Sequence, residues 1–525
     1  MRTFSLPLAI AALSLATACT TDDPATTGNA DSSTGDTDPS GSPTTTPTTE
    51  PTTEPTDATV DPDTSAGPTT ETETDSTTGP AEVVEVRVVH AAPGAPNVDI
   101  YVAGSAEPVI TDLPYGEASV YLEIPPGTYD FEVRAAGAPA EDPPAYTTGD
   151  LDLPGGARVT AIAAGLLGST DEADAFRVLP IVEGFEDPGA GNAAVRIVHA
   201  GADAPSVDIN VGNDGGAPEL PGVPRFADSG AAGVPLPSGA ALQVGIESEG
   251  SVVTAFTTPE LPEGANLFVI ATGLLGDMPR EASGFGLLAV GPDGVIGLIP
   301  QNPFVHVFHG GADAPDVDVC VGDTALVSGA AFGDLANLQV PPGSYDLEVH
   351  AAPSDCTGTP VLTQSSGDLG AGQHYLVIAT GELMTEGGIR AGQDLTLAAF
   401  QEDFDLEAAP DAVFRVVHAA TAPAVTVGVL NADGEVEDAT VLISGLEWPN
   451  ASDALAVPAA NYALGILAAS SVLPAAPLAE VTAPLSEGLR AYALAVGDLV
   501  PNVGDQPFSV YAVVTGPSAW LALQL

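Results

Sequence analysis

A histidine returns four times at nearly constant spacing, and that interval constrains the whole chain. His90, His199, His309 and His418 are separated by 109, 110 and 109 residues, in a chain with only seven histidines. Each closes the first strand-like run of a similar segment: VEVRVVHAAPGAPNVDIYV, AAVRIVHAGADAPSVDINV, PFVHVFHGGADAPDVDVCV and AVFRVVHAATAPAVTVGVL. A Pro/Gly turn with an alternating strand follows in each copy (IPPGTYDFEV, LPSGAALQV, VPPGSYDLEV, VPAANYALGI). Next comes an apolar strand ending at Gly (VTAIAAGLLG, NLFVIATGLLG, YLVIATGEL, YALAVGDL). A period near 110 residues is too long for solenoid coils or propeller blades, which repeat at roughly 20–50 residues. Each copy is therefore a domain.

The strands alternate with period two. Val86, Val88 and His90 share one face, as do Val98, Ile100 and Val102, while Arg87, Asp99 and Tyr101 point the other way. Such half-buried strands at short intervals predict an all-β chain of four tandem Ig-like or transthyretin-like sandwiches. The expected spans are 83–185, 193–300, 303–402 and 412–525, joined by acidic segments near 183–194, 291–303 and 401–412.

The amino terminus reads as an address. Met1-Arg2 precedes an apolar run from Phe4 to Leu15 that is too short to span a membrane, so residues 1–18 are expected to be a signal peptide. Ala16-Thr17-Ala18-Cys19 resembles the bacterial lipobox, with Ala16 where Leu is preferred. That resemblance implies acylation of Cys19 and a lipid anchor in the membrane, and Thr20 after it implies the outer membrane. Residues 19–82 are rich in Thr, Pro, Asp and Glu, with no basic residue between Arg2 and Arg87. Such a segment cannot bury a core and is expected to be a disordered stalk, spanning about 40–50 Å as a coil.

The motif VRVVHAxPxAPxVDVYV…PxGxYxxEV…YxVIATG resembles the bacterial family catalogued as domain of unknown function 4397. The resemblance covers residues 83–525 and is strongest in repeats 1 to 3. Repeat 4 departs from it, with Thr426 in place of Asp and Ala460 in place of the turn Gly. The resemblance implies an exported protein, often a tandem lipoprotein, and no established molecular function.

Composition narrows the function classes. The net charge is −60, and all eleven basic residues are Arg. Such a chain repels phosphate backbones, which argues against nucleic acid as a partner. Cations are attracted nonspecifically, calcium above all. The expected function is a noncatalytic surface array for binding, adhesion or spacing; the charge and the acidic joints motivate calcium-dependent adhesion as one alternative, and an unrecognised enzyme using the repeated histidines is the other.

Four sets of residues are candidates for a role. The histidines recur with Asp99, Asp208 and Asp318 nine residues later; they read as loop-holding structural residues or, alternatively, as an acid–base or metal pair. Tyr115, Phe226, Phe332 and Trp448 are each followed two residues later by Glu117, Asp228, Asp334 or Asn450. They read as plugs at one end of a sandwich or as ligand-contacting rings for a surface polysaccharide or envelope protein. Cys320 and Cys356 are expected to form a disulfide in an oxidising compartment, a catalytic thiol being the alternative. NADGEVED (431–438) reads as a hairpin turn rather than a calcium loop. No known nucleophile or nucleotide motif is present, so no catalytic residue is assigned.

Overall fold

Period-two alternation with frequent turns gives strands, and strands are the only regular elements in the computed structural model, which describes residues 82–139, 142–383, 392–406 and 410–525. The signal peptide, Cys19 and the stalk lie outside the described residues.

Module 1 contains β1 (Val84–His90), β2 (Val98–Val102), β3 (Ile110–Leu113), β4 (Leu122–Ile124) and β5 (Gly127–Tyr129). It continues with β6 (Phe131–Ala135), β7 (Tyr146–Thr147), β8 (Leu151–Leu153), β9 (Arg158–Ala164) and β10 (Arg177–Val182). One sheet has the order β10-β9-β1-β4 and the other β3-β2-β6-β7, with β5 and β8 paired apart. β1 and β9 run parallel, from Glu85 opposite Arg158 to His90 opposite Ala163. Val88, Val98, Ile100 and Val133 fill the space between the sheets. The same two-sheet plan recurs three more times. The turn at Asn431–Glu435 joins Val425–Leu430 to Val436–Leu446 as a hairpin.

Each module carries a bulge beside its second strand. The register of β2 against β3 shifts between Val98 and Ile100, and equivalent shifts fall at Val207/Ile209, Val317/Val319 and Val425/Val427. On the partner strand the bulge needs a left-handed residue: Asp112 (φ 51°), Gly222 (64°), Gly329 (62°) or Gly445 (65°).

The expectation of half-buried outer faces is corrected. β1 is buried on both faces, and outward-pointing Arg87 is only 2% exposed. The covering surface is the next module. Val89, Ile162 and Ile181 of module 1 form one cluster with Val198, Phe268 and Ile270 of module 2. Phe308, Leu376 and Ile378 of module 3 do the same with Val417, Tyr492 and Trp520 of module 4. The His-bearing sheets thus pack face to face in two pairs, 1·2 and 3·4. Burial of this second apolar face follows from the hydrophobic effect, since a lone sandwich would leave it wet.

The joint between modules 2 and 3 is also corrected. Gly294–Pro300, inside the expected span 193–300 but also inside the joint expected near 291–303, is a fifth strand in module 2's sheet. Beyond it, Gln339 of module 3 accepts from the Ala255 amide of module 2 (2.9 Å) and donates to Thr254 Oγ1 (3.1 Å).

Candidate functional site

The four recurrent histidines do the same thing in every module. Nε2–H of His90, His199, His309 and His418 donates to the carbonyl of Pro96 (3.1 Å), Pro205 (2.8 Å), Pro315 (3.0 Å) and Pro423 (3.0 Å). In modules 1 and 3, Nδ1 accepts a long bond from the amide two residues on, Ala92 (3.4 Å) and Gly311 (3.3 Å). Burial pushes all four imidazoles below the ordinary value, against the pull of the proline carbonyl. A neutral ring pinned to a loop carbonyl is a clip between β1 and the loop that leads to β2.

The aspartates serve the bulge. Asp99 accepts from the amides of Asp112 (2.7 Å) and Gly137 (2.9 Å). Asp208 accepts from Gly222 (2.5 Å), and Asp318 from Gly329 (2.6 Å) and Ser354 (2.6 Å). In module 4, Thr426 Oγ1 takes over, accepting from Gly445 at 3.4 Å. Burial raises the Asp318 carboxyl, but the Gly329 and Ser354 bonds outweigh it and hold it below the ordinary carboxylate value. No hydrogen bond joins a recurrent His to its Asp among the described residues. Asp99→Ala strips two backbone amides of their acceptor and should destabilise the chain by about 2–3 kcal/mol in a urea titration; Asp99→Asn should cost less.

The histidine meets the aromatic instead. Tyr115 lies edge-on to His90 with centroids 6.0 Å apart, and Phe332 to His309 at 6.3 Å. These rings are half-buried, and each also meets the paired module. Thr272 of module 2 donates to the Ala91 carbonyl of module 1 (2.8 Å), so Tyr115 O–H is the donor to Thr272 Oγ1 (3.2 Å). Thr380 of module 3 donates to the Ala419 carbonyl of module 4 (2.6 Å) and accepts from Trp448 Nε1 (3.0 Å). Phe226 of module 2 lies under the Arg177 guanidinium of module 1 at 4.1 Å. Phe332 of module 3 faces Tyr511 of module 4 at 6.5 Å. The four rings are therefore clasps between modules, rather than plugs of their own sandwich or an open stacking platform.

Sequence reasoning missed the residue three places before each recurrent His: Arg87, Arg196, His306 and Arg415. Arg87 donates to the Gly291 carbonyl of module 2 and lies 3.7 Å from Glu183 at the end of its own module. Arg196 donates to the Val182 carbonyl of module 1 (2.8 Å). Arg415 pairs with Asp403 (2.6 Å), and Arg280 of module 2 forks onto Glu402 (2.8 and 3.0 Å). Arg490 donates to the carbonyls of Asp405 and Asp411. A usable signal existed: in a chain with eleven basic residues, three occupy one register position.

Among the described residues, the one carboxylate cluster and the sandwich interiors offer little else. Glu382, Asp498 and Asp505 bring carboxylate oxygens within 4.8 Å of one another where modules 3 and 4 meet. Asp498 accepts from the Val500 amide and Asp505 from the Asn502 amide, and all three have further bonding contacts. The sandwich interiors hold apolar cavities of about 30–140 Å³, below the roughly 300 Å³ at which ligand pockets begin. Cys320 and Cys356 form the expected disulfide.

A family model described as "Domain of unknown function (DUF4397)" matches residues 84–210 and 303–428. Each match spans one module and the first two strands of the next. No curated protein matches the chain. Among solved structures, the Bacillus anthracis TIE protein is similar at 10% identity over 79% of this chain, with a TM-score of 0.13. The chain spans 66% of that protein, just under two thirds, and the score carries no argument about arrangement.

Proposed function

The chain carries tandem repeats of the DUF4397 family, and from that premise we propose that it is a noncatalytic envelope lipoprotein, anchored through Cys19, whose paired modules act as a preassembled spacer and binding array. The observation that carries this reading is where the scarce cations go. Arg87, Arg196, Arg280, Arg415 and Arg490 all reach a module's end or the segment that follows it, at Glu183, Val182, Glu402, Asp403, and Asp405 with Asp411. A chain of net charge −60 would otherwise repel itself at its acidic joints. The recurrent polar side chains also fit a scaffold, since their hydrogen bonds hold loops and bulges.

The array's outward partners are envelope polysaccharide or protein, engaged weakly at several modules and strengthened by linkage. The test compares binding of isolated envelope polysaccharide and envelope protein extract to residues 83–525 and to the pair 303–525. The array should bind at least tenfold more tightly; equal affinity removes the avidity role and leaves the spacer. For the anchor, Cys19→Ala should move the chain from the membrane to the soluble fraction. An envelope phenotype lost on replacing the four recurrent histidines with Gln, with fold and fractionation intact, would overturn the noncatalytic reading.

A further inference from the structure

Module 3 breaks the pattern at the buried position three residues before the recurrent histidine. The other modules place an arginine there, which stays charged at any accessible pH, whereas His306 can gain or lose its charge. His306 is 0% exposed and lies beneath Trp520 of module 4, with ring centroids 3.8 Å apart and planes within 9°. His374, also 0% exposed, lies beside it at 5.3 Å and under the same Trp520 ring at 5.7 Å, and Phe304 stacks on His374 at 4.6 Å.

The hydrogen bonds fix where the protons sit. Asn337 Oδ1 accepts from the Trp520 amide (2.9 Å) and from His306 Nδ1–H (2.6 Å). Asn337 Nδ2 returns a bond to the Trp520 carbonyl (3.2 Å). With its proton on Nδ1, His306 must accept at Nε2, and His374 Nδ1–H donates to it at 3.0 Å. His374 Nε2 is buried with no partner. A second proton on His306 would set two N–H groups against each other; one on His374 would place a charge at a buried, unbonded nitrogen. The charged groups around the stack are already matched: Arg280 with Glu402, and Arg415 with Asp403. Arg280 further disfavours a cation on His374, and the buried Tyr492 phenol stays protonated.

The geometry points to a proton-sensitive latch: proton uptake by His306 and His374 parts the Trp520 segment of module 4 from module 3, while the arginine-built 1·2 pair stays closed. Burial agrees with this, pushing both imidazoles down to about 3 from an ordinary 6.5. Because the closed-state values are depressed, the latch is fully favoured above about pH 6.5. It weakens as pH falls from there toward about 3, by up to about tenfold per pH unit for each imidazole. In the window from pH 6.5 to 5, most carboxylates remain ionised.

The full chain reports on this directly. Its two tryptophans, Trp448 and Trp520, both lie at the 3·4 contact. Tryptophan emission in a urea series at pH 6.5 and at pH 5 gives the opening constant of that pair. It should rise at least a hundredfold over this interval, and His306→Gln with His374→Gln should remove most of the rise. His309 and His418 titrate in both proteins, so the difference isolates the latch. A rise below fivefold, or the same rise in the double variant, overturns the proposal. If the variant does not fold, imidazole C–H resonances of the unmutated chain decide: His306 and His374 titrating near 6.5 in the closed state would equally overturn it.

Discussion

Truncating Phe268 to alanine should destabilise pair 1·2 by about 3–5 kcal/mol, the range for removing a fully buried aromatic from a core. Phe268 is 1% exposed, yet it lies outside its own module's interior, in the cluster shared with module 1. Phe185 meets it edge-on at 5.2 Å, and the guanidiniums of Arg87 and Arg196 lie 5.6 and 6.0 Å from its centroid. Removing the ring leaves a cavity and takes the π-face from two buried cations. Were that face wet, the change would stay within about 0.5 kcal/mol. Urea unfolding gives the magnitude. Amide exchange gives the place, because Val84–His90 of the neighbouring module should lose protection with it.

Arg280→Ala should cost a similar amount, about 3–5 kcal/mol, through a different mechanism. Its guanidinium forks onto Glu402, which is 1% exposed, and also donates to the Phe404 carbonyl (2.6 Å). Without it, Glu402 keeps only the Phe404 amide as a donor among these partners, and a buried carboxylate is left without its counter-ion. Replacing both members together, Arg280→Met with Glu402→Leu, should recover most of the loss, because no charge is then stranded. Comparing the single and double variants in urea separates the cost of stranding Glu402 from the net value of the pair.

The fold was legible because its signals are local. Val86, Val88 and His90 declare a strand by alternation, and the turns fall between such runs. The pairing of modules was not legible from alternation alone. The apolar runs carried a hint: YLVIATG and NLFVIATG are continuous rather than alternating, as strands buried on both faces are. The recurrent Asp was visible as a pattern, but its role depends on a bulge that no periodicity announces. Tyr115 and Trp448 could not be assigned from sequence, because Thr272 and Thr380 lie over 60 residues away in another module. Joint acids that suggested calcium, such as Glu402 and Asp403, instead meet arginines at close range.

Face-to-face pairing is the central claim, and disulfide trapping across modules 3 and 4 tests it most directly. A Cβ built on Gly310 would lie 3.0 Å from Val496 Cγ1. Cysteines at these two positions are therefore close to the 3.5–4.5 Å Cβ separation of a disulfide. In the chain carrying Gly310→Cys and Val496→Cys, mild oxidation should link the two peptides within a single molecule, as read by non-reducing peptide mapping. Two thiols that stay free and are alkylated at the rate of exposed cysteines would contradict the pairing.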